Sequence, residues 1–368
     1  MHGRLIFIMI SSIFIHIRCG VPKNDPMVLM HSSDEKKIGF TIENNKLIDT
    51  TGNEFVIRGV NMPFAYFYEK SLDALNHVKQ FHFNAVRIVW CAPTLVRSGR
   101  CDNKDFRTAE ELEKILRKMR DLELVAVINL QNATGSDNPE HLSLMVDWYL
   151  QPEIQSVLKA YEDMLIINIA NEWFGSWSDP NEIYTDTYIR EITRMRRENL
   201  NHVLIVDARG YGQQFSSIPQ IYSKLHRIDS NILYSAHMYD LFATSESVQT
   251  SFEIAEDYQI PLIIGEFACS HPPAPTVACE TIMENALKRD LQYSYMAWSY
   301  SGNSGPLQQL DLVDSNDWKT LTPYGRLVVH ESDFGIARTA QPACVFPRQI
   351  CPNETEYPPT KQNEPDIQ

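Results

Sequence analysis

Leu165-Ile-Ile-Asn-Ile-Ala-Asn-Glu-Trp-Phe-Gly-Ser-Trp177 decides the fold reading. Its first half is apolar and rich in isoleucine, with no polar–apolar alternation. Strands buried on both faces read this way, because helices cover a parallel sheet on either side. Its second half delivers an amide, a carboxylate and an indole in succession, Asn171, Glu172 and Trp173. In a (β/α)₈ barrel, catalytic groups sit at the C-terminal ends of the strands. The stretch is therefore expected to be a central strand that carries functional side chains at its tip.

Pro261-Leu-Ile-Ile-Gly-Glu266-Phe267 repeats the pattern, a short apolar run ending in a carboxylate. Two carboxylates on the tips of two parallel strands, set among aromatics, point to glycoside hydrolysis. One protonates the leaving oxygen and the other attacks the anomeric carbon. A lone Glu at a strand end would read as a solvated charge; the pair argues for catalysis.

Working outward, strand and helix signals alternate along the chain. Phe55–Asn61 reads as a first barrel strand, preceded by turn-rich sequence from Ile38 that can form a short hairpin under the barrel floor. Ala85–Trp90, Val125–Asn129, Val203–Val206, Asn231–His237, Leu262–Glu266 and Tyr295–Tyr300 complete eight strand candidates with the stretch above. Leu72, Leu75 and Val78 mark a helix running to Phe81. Thr108-Ala-Glu-Glu111 is a capping box before a helical face of Leu112, Ile115, Leu116 and Met119. A helical region before the fourth strand is interrupted at Pro152. Tyr184, Tyr188, Ile189, Ile192 and Met195 mark the helix after it, and a last helix lies near Tyr324–His330. The order and size fit an α/β chain folded as a (β/α)₈ TIM barrel. A doubly wound open sheet is the competing reading; no glycine-rich phosphate loop follows the first strand to support it.

The 368 residues carry 33 Lys and Arg against 47 Asp and Glu, a net charge of −14. Such a chain repels nucleic acid and anionic membranes, so neither is expected as a partner. Arg4 followed by the apolar run Leu5–Ile17 reads as a secretory signal ending near Cys19-Gly20, too short for a spanning helix. The expected divisions are a signal over 1–20, a catalytic barrel over 38–335, and a Pro-rich C-terminal tail over 336–368, too poor in apolar residues for a separate carbohydrate-binding domain.

Seven cysteines become six once Cys19 leaves with the signal. They fall into near couples, Cys91 with Cys101, Cys269 with Cys279 and Cys344 with Cys351, which in a secreted chain favours disulfides. Pairing by neighbourhood is one of several connectivities. No Cys/His set has zinc-like spacing, so no metal and no cofactor is expected.

At the strand ends stand further candidates. Arg87 can keep a neighbouring carboxylate ionised. Asn171 is placed for a sugar 2-hydroxyl. His237 and Tyr239 can orient the two carboxylates, and Trp298 offers a flat apolar face. Singly, each has a plainer reading as a buried ion pair, a satisfied histidine or a core tryptophan; their coincidence at strand ends is what favours function.

Asn-Glu on the fourth strand and Gly-Glu-Phe on the seventh resemble glycoside hydrolase family 5, in clan A. Val86-Arg-Ile-Val89, Asn168–Trp177, Leu204–Gln213, Ser235–Asp240, Leu262–Phe267 and Met296–Gly305 extend the similarity over about residues 55–330, and look like the secreted endo-β-1,4-mannanase branch. The resemblance implies Glu172 as acid/base, Glu266 as nucleophile, and Arg87, Asn171, His237, Tyr239 and Trp298 as their supports. It makes Trp173, Trp177, Tyr211 and Tyr300 candidate sugar platforms. The implied partner is β-mannan or a related β-1,4-linked polysaccharide, cut by a monomer. Sister branches that cut cellulose or glucomannan use the same machinery.

One position departs from the family, which usually has His, commonly followed by Asp, at the end of the third strand. This chain has Gln131-Asn132. Gln keeps a neutral donor and acceptor but does not titrate. The change motivates a rival reading, a glycan-binding protein with decayed catalysis, against which both glutamates stand. It also creates the sequon Asn132-Ala-Thr134, expected to be unoccupied because a glycan there would crowd the cleft. Asn353 in Asn353-Glu-Thr355 is the expected acceptor.

Overall fold

A computed structural model describes residues 38–94, 96, 101, 107–273, 276–289 and 292–347. The signal-like segment, Cys351 and Asn353 lie outside the described residues.

Two short strands, β1 (Thr41–Glu43) and β2 (Lys46–Ile48), pair antiparallel. The turn falls at Asn44-Asn45, both with positive φ (50° and 64°), which Asn tolerates best after Gly. This is the short N-terminal hairpin that the turn-rich sequence suggested, and Phe55 and Ile57 are buried before the first barrel strand begins.

The barrel strands are β3 (Arg58–Met62), β4 (Ala85–Trp90), β5 (Val125–Leu130), β6 (Leu165–Asn168), β7 (Leu204–Asp207), β8 (Ile232–Met238), β9 (Leu262–Phe267) and β10 (Ser294–Ala297). All pair in parallel, and β10 closes onto β3, so no edge is left open. Every residue in these eight strands is buried, which is why they read as unbroken apolar runs.

Helices α1 (Tyr68–Gln80), α2 (Ala109–Asp121), α3 (Pro139–Tyr149), α4 (Pro152–Ala160), α5 (Ile183–Arg197), α6 (Ser217–Leu225), α7 (Ser245–Asp257) and α8 (Cys279–Lys288) form the outer layer. The capping box at α2 is made reciprocally: the Glu111 N–H donates to Thr108 Oγ1, and the Thr108 N–H donates to Glu111 Oε2. Pro152 splits the region before β6 into two helices and starts the second, where its missing N–H costs nothing. After β10 come a short helix α9 (Pro323–Arg326), a widened turn over Leu327–Glu331, and α10 (Ile336–Thr339).

Residues 336–347, the described part of the C-terminal tail, pack onto the barrel. Ile336, Ala343 and Phe346 are buried in the barrel core cluster. Thr339 Oγ1 accepts from Arg58 Nε at 3.2 Å, and the Cys344 N–H donates to Asp49 Oδ2 at 2.9 Å. The segment is held by isolated anchors rather than by a periodic apolar face, so periodicity did not reveal it.

Disulfides join Cys91 to Cys101 and Cys269 to Cys279, in the loops after β4 and β9. Cys344 is also disulfide-bonded. Among the described residues, no helix is long and apolar enough to cross a membrane.

Candidate active site

The polar groups inside the barrel converge at the C-terminal ends of the strands. Arg87, buried on β4, is the hub. Its Nη1 donates to Glu266 Oε1 at 2.6 Å and to Asn61 Oδ1 at 2.7 Å. Its Nε and Nη2 donate to Asn168 Oδ1 at 3.0 and 2.8 Å, and Nη2 also reaches Asn171 Oδ1 at 2.7 Å. The guanidinium fork is rigid and always charged, so one side chain fixes four others.

Glu266, on β9, is gripped at both oxygens, by Arg87 at Oε1 and by the Tyr239 hydroxyl at Oε2, 2.8 Å away. Burial, then the nearby charges of Glu266 and Glu172, push the Tyr239 phenol well above its ordinary pKa, so it remains a donor.

Glu172 lies beyond β6 with φ of 48°, a left-handed conformation that non-glycine residues seldom adopt. The surrounding bonds over-determine it. Its N–H donates to Asp207 Oδ2 at 2.9 Å, and its carbonyl accepts from the Gly135 N–H at 2.9 Å. Its Oε1 lies 2.8 Å from His237 Nδ1. Burial raises the Glu172 pKa; the hydrogen bond and charge of His237 oppose this, and Glu266 and Asp207 reinforce it. Burial pulls the His237 pKa down, but Glu266, Asp207 and Glu172 outweigh it and carry it up to about 9. The environments therefore give the two glutamates opposite characters. Glu266 is paired with a guanidinium, while burial favours the neutral form of Glu172 and the surrounding carboxylates favour the cationic form of His237.

One oxygen of Glu172, one of Glu266 and a ring nitrogen of His237 all lie within 4.8 Å of one another. Three such groups can hold a cation, but His237 Nδ1 is engaged by Glu172 and Arg87 already neutralises Glu266. The donor set fits a proton-transfer site better than a metal site.

Asn171 donates through Nδ2 to Thr134 Oγ1 at 3.0 Å, so its amide is held at both ends, by Thr134 and by Arg87. Gln131, at the end of β5, is buried with its amide 2.7 Å from that of Asn129. Trp298 is partly exposed just past β10, its backbone N–H donating to the Phe267 carbonyl at 2.8 Å. The sequon residue Asn132 is fully buried, its amide bonded to the backbone of Ala92 and Val96.

The four proposed aromatic platforms divide. Trp177 and Tyr211 are 48% and 46% exposed. Both rings lie against glycine: a Cβ on Gly210 would come within 2.8 Å of the Trp177 ring, and one on Gly135 within 2.6 Å of the Tyr211 ring. Trp173 and Tyr300 are corrections, since both are fully buried. Trp173 packs among Phe174, Tyr184 and Tyr188 and donates Nε1 to the Asn138 carbonyl. Tyr300 donates its hydroxyl to the Trp318 carbonyl at 2.9 Å. Position after a strand end did not reveal that these two rings turn inward.

Asn61, Asn168 and Asp207 were not singled out from the sequence. Asp207 ends the apolar run of β7 just as Glu266 ends that of β9, and the same argument applied there would have found it. Asn61 and Asn168 are lone polar residues in barrel strands, where alternate side chains face the interior.

Comparison with known proteins agrees with this geometry. Residues 48–304 match the family model for cellulase (glycosyl hydrolase family 5). The chain is 33% identical to a mannan endo-1,4-beta-mannosidase of Salipaludibacillus agaradhaerens, over 84% of this chain and 96% of that one. It is 30% identical to a mannan endo-1,4-beta-mannosidase of Cellvibrio japonicus, over 86% of this chain and 72% of that one. A beta-mannanase of Thermomonospora fusca, solved as a mannohexaose complex, superposes with a TM-score of 0.74 at 28% identity, over 84% of this chain and 100% of that chain. The closed barrel, the paired glutamates at its mouth and these similarities together identify the chain as a member of glycosyl hydrolase family 5.

Proposed function

We propose that the protein is a secreted, retaining endo-β-1,4-mannanase. The observation that carries the mechanism is the approach of Glu172 and Glu266 to within 4.8 Å in contrasting environments. Retaining enzymes set their carboxyl groups about 5–5.5 Å apart, whereas inverting ones leave room for a water, at about 6.5–9.5 Å. The relatives' activity on mannan supports the substrate.

In the first step the Glu266 carboxylate attacks the anomeric carbon while Glu172 gives its proton to the departing glycosidic oxygen. A glycosyl ester on Glu266 and a shortened chain result. In the second step Glu172, now a carboxylate, takes a proton from water. The water oxygen attacks the same carbon and releases Glu266, so two inversions restore the configuration. His237 follows the proton on Glu172, holding a hydrogen bond to it in either state. Asn171, fixed between Arg87 and Thr134, is the amide placed for the 2-hydroxyl, the position at which mannose and glucose differ. Trp177, Tyr211 and Trp298 offer faces for the sugar rings.

Secretion rests on the signal-like N-terminus and on the disulfides, which persist in oxidising compartments. The test is reducing-end release from linear mannan, glucomannan and carboxymethylcellulose, with the anomer of the first product followed by NMR. Activity on the two mannans with a β-anomer product is expected. Cleavage of cellulose alone would overturn the substrate, and an α-anomer the retaining mechanism. Folded protein that binds mannan without cutting it would favour a decayed enzyme.

A further inference from the structure

His271 has no part in the chemistry above, yet it is the residue packed on the part of the site that grips Glu266. Its ring stacks on the Tyr239 ring, centroids 4.6 Å apart and planes 29° from parallel. Its Nδ1 lies 2.7 Å from Asp240 Oδ1, and Asp240 directly follows Tyr239 in the chain. One residue is thus covered by the imidazole and the next one holds it.

The loop that carries His271 is itself pinned. The Cys269–Cys279 disulfide closes it, the Val277 N–H donates to the Cys269 carbonyl at 3.1 Å, and the Ala278 N–H donates to the Phe242 carbonyl at 2.8 Å. Phe242 ends the short turn that begins at Asp240. The imidazole is therefore anchored both to the loop after β9 and to the segment after β8.

We propose that His271 is a positioning residue, which braces the Tyr239 ring so that its hydroxyl stays on Glu266 Oε2. The torsion that turns a tyrosine ring is soft and broad, and although its axis passes through the phenol oxygen, it sets the direction of the O–H, which prefers the ring plane; hydrogen bonding at one end does not fix that plane. A flat neighbour does. Turning the ring swings the O–H off Glu266 Oε2, and a hydrogen bond weakens steeply with angle, so a brace on the ring acts on turnover. Because His271 touches Tyr239 and not the carboxylate, its effect passes through the phenol. It rests on the reading of Glu266 as nucleophile.

The test is a double-mutant cycle on the full chain, with kcat and KM measured on linear mannan. His271→Ala is expected to lower kcat about five- to thirtyfold with KM within about twofold, and His271→Phe, which keeps the stack but not the Asp240 bond, to restore most of it. In a Tyr239→Phe background, His271→Ala is expected to add less than about a twofold loss. Equal losses with and without the Tyr239 hydroxyl, or a change in KM alone, would overturn the proposal. Should His271→Ala fold poorly, His271→Phe and Asp240→Asn measured against Tyr239→Phe carry the same comparison. Glu266→Gln separates the two readings. An active Glu266→Gln sinks the nucleophile assignment; an inactive one combined with additive losses sinks only the brace.

Discussion

Asp207 Oδ2 accepts the backbone N–H of Glu172 at 2.9 Å, and so a carboxylate on one strand holds the left-handed turn that aims the acid on the next. The same carboxylate accepts from Asn168 Nδ2 at 3.2 Å and lies 3.5 Å from His237 Nε2. It therefore acts on both members of the Glu172–His237 pair, on one through geometry and on the other through charge.

Replacing Asp207 with Ala should release the Glu172 backbone and remove a negative charge beside His237. A fall in kcat of about a hundredfold is expected, since a misplaced catalytic group costs on that order. KM for mannan should change little, because Asp207 is buried and out of reach of the sugar. Steady-state kinetics check this; an unchanged kcat would mean that the Gly135 bond alone holds the turn.

Stability should fall as pH rises. The folded-state pKa of His237 is raised to about 9 from an ordinary value of 6.5. Its contribution is therefore complete below about pH 6.5 and disappears as pH climbs through about 9. Glu172 acts in the same sense. Its folded pKa is raised too, so the native state holds that proton more tightly and loses stability from about pH 4.5 upward. Thermal denaturation between pH 6 and 10 should give a declining Tm, flatter in His237→Asn. A Tm that rises over this range would contradict the protonation scheme.

Glu172→Gln should abolish turnover of mannan while raising Tm at pH 8. The amide keeps the shape and cannot ionise, so the cost of burying a carboxylate in this site disappears; such trade-offs between stability and activity are common at catalytic positions. Aryl mannosides with good leaving groups do not need the acid for the first step. The variant should therefore accumulate a glycosyl-enzyme, visible by intact mass.

Trp177→Ala and Trp173→Ala should part company. The first removes a half-exposed ring and is expected to raise KM, with Tm nearly unchanged. The second empties a buried aromatic cluster and should cost about 3–5 kcal/mol of stability. Denaturation curves and KM values for the two variants separate a platform from a core residue.

The barrel was legible because its strands are buried on both faces and bounded by clear turns. Ala85–Trp90 was found at its full length, and Leu262–Phe267 missed only its last residue. Glu172 and Glu266 were legible because a carboxylate after an apolar run stands out. The two local disulfides match the pairing by neighbourhood, one of several connectivities that the cysteine count allowed. Asp207 was legible by the same argument, as the carboxylate that ends the apolar run of β7, but its bond to the Glu172 N–H just past β6 forms only when the two strands pair.

Residues close together in the chain specify the alternation of strand and helix, the two strand tips that carry carboxylates, and the family. Which aromatics stay exposed depends on contacts between distant segments. Trp173 and Trp177 are four residues apart, yet one is sealed in the core and the other half exposed. The reason is that a ring's direction after a strand end follows backbone torsions and neighbours from distant segments, such as the left-handed Glu172 and Phe174 and the glycine at 210. Protonation was decided there as well, because the charges that act on Glu172 and His237 come from β7 and β9 and meet only when the barrel closes.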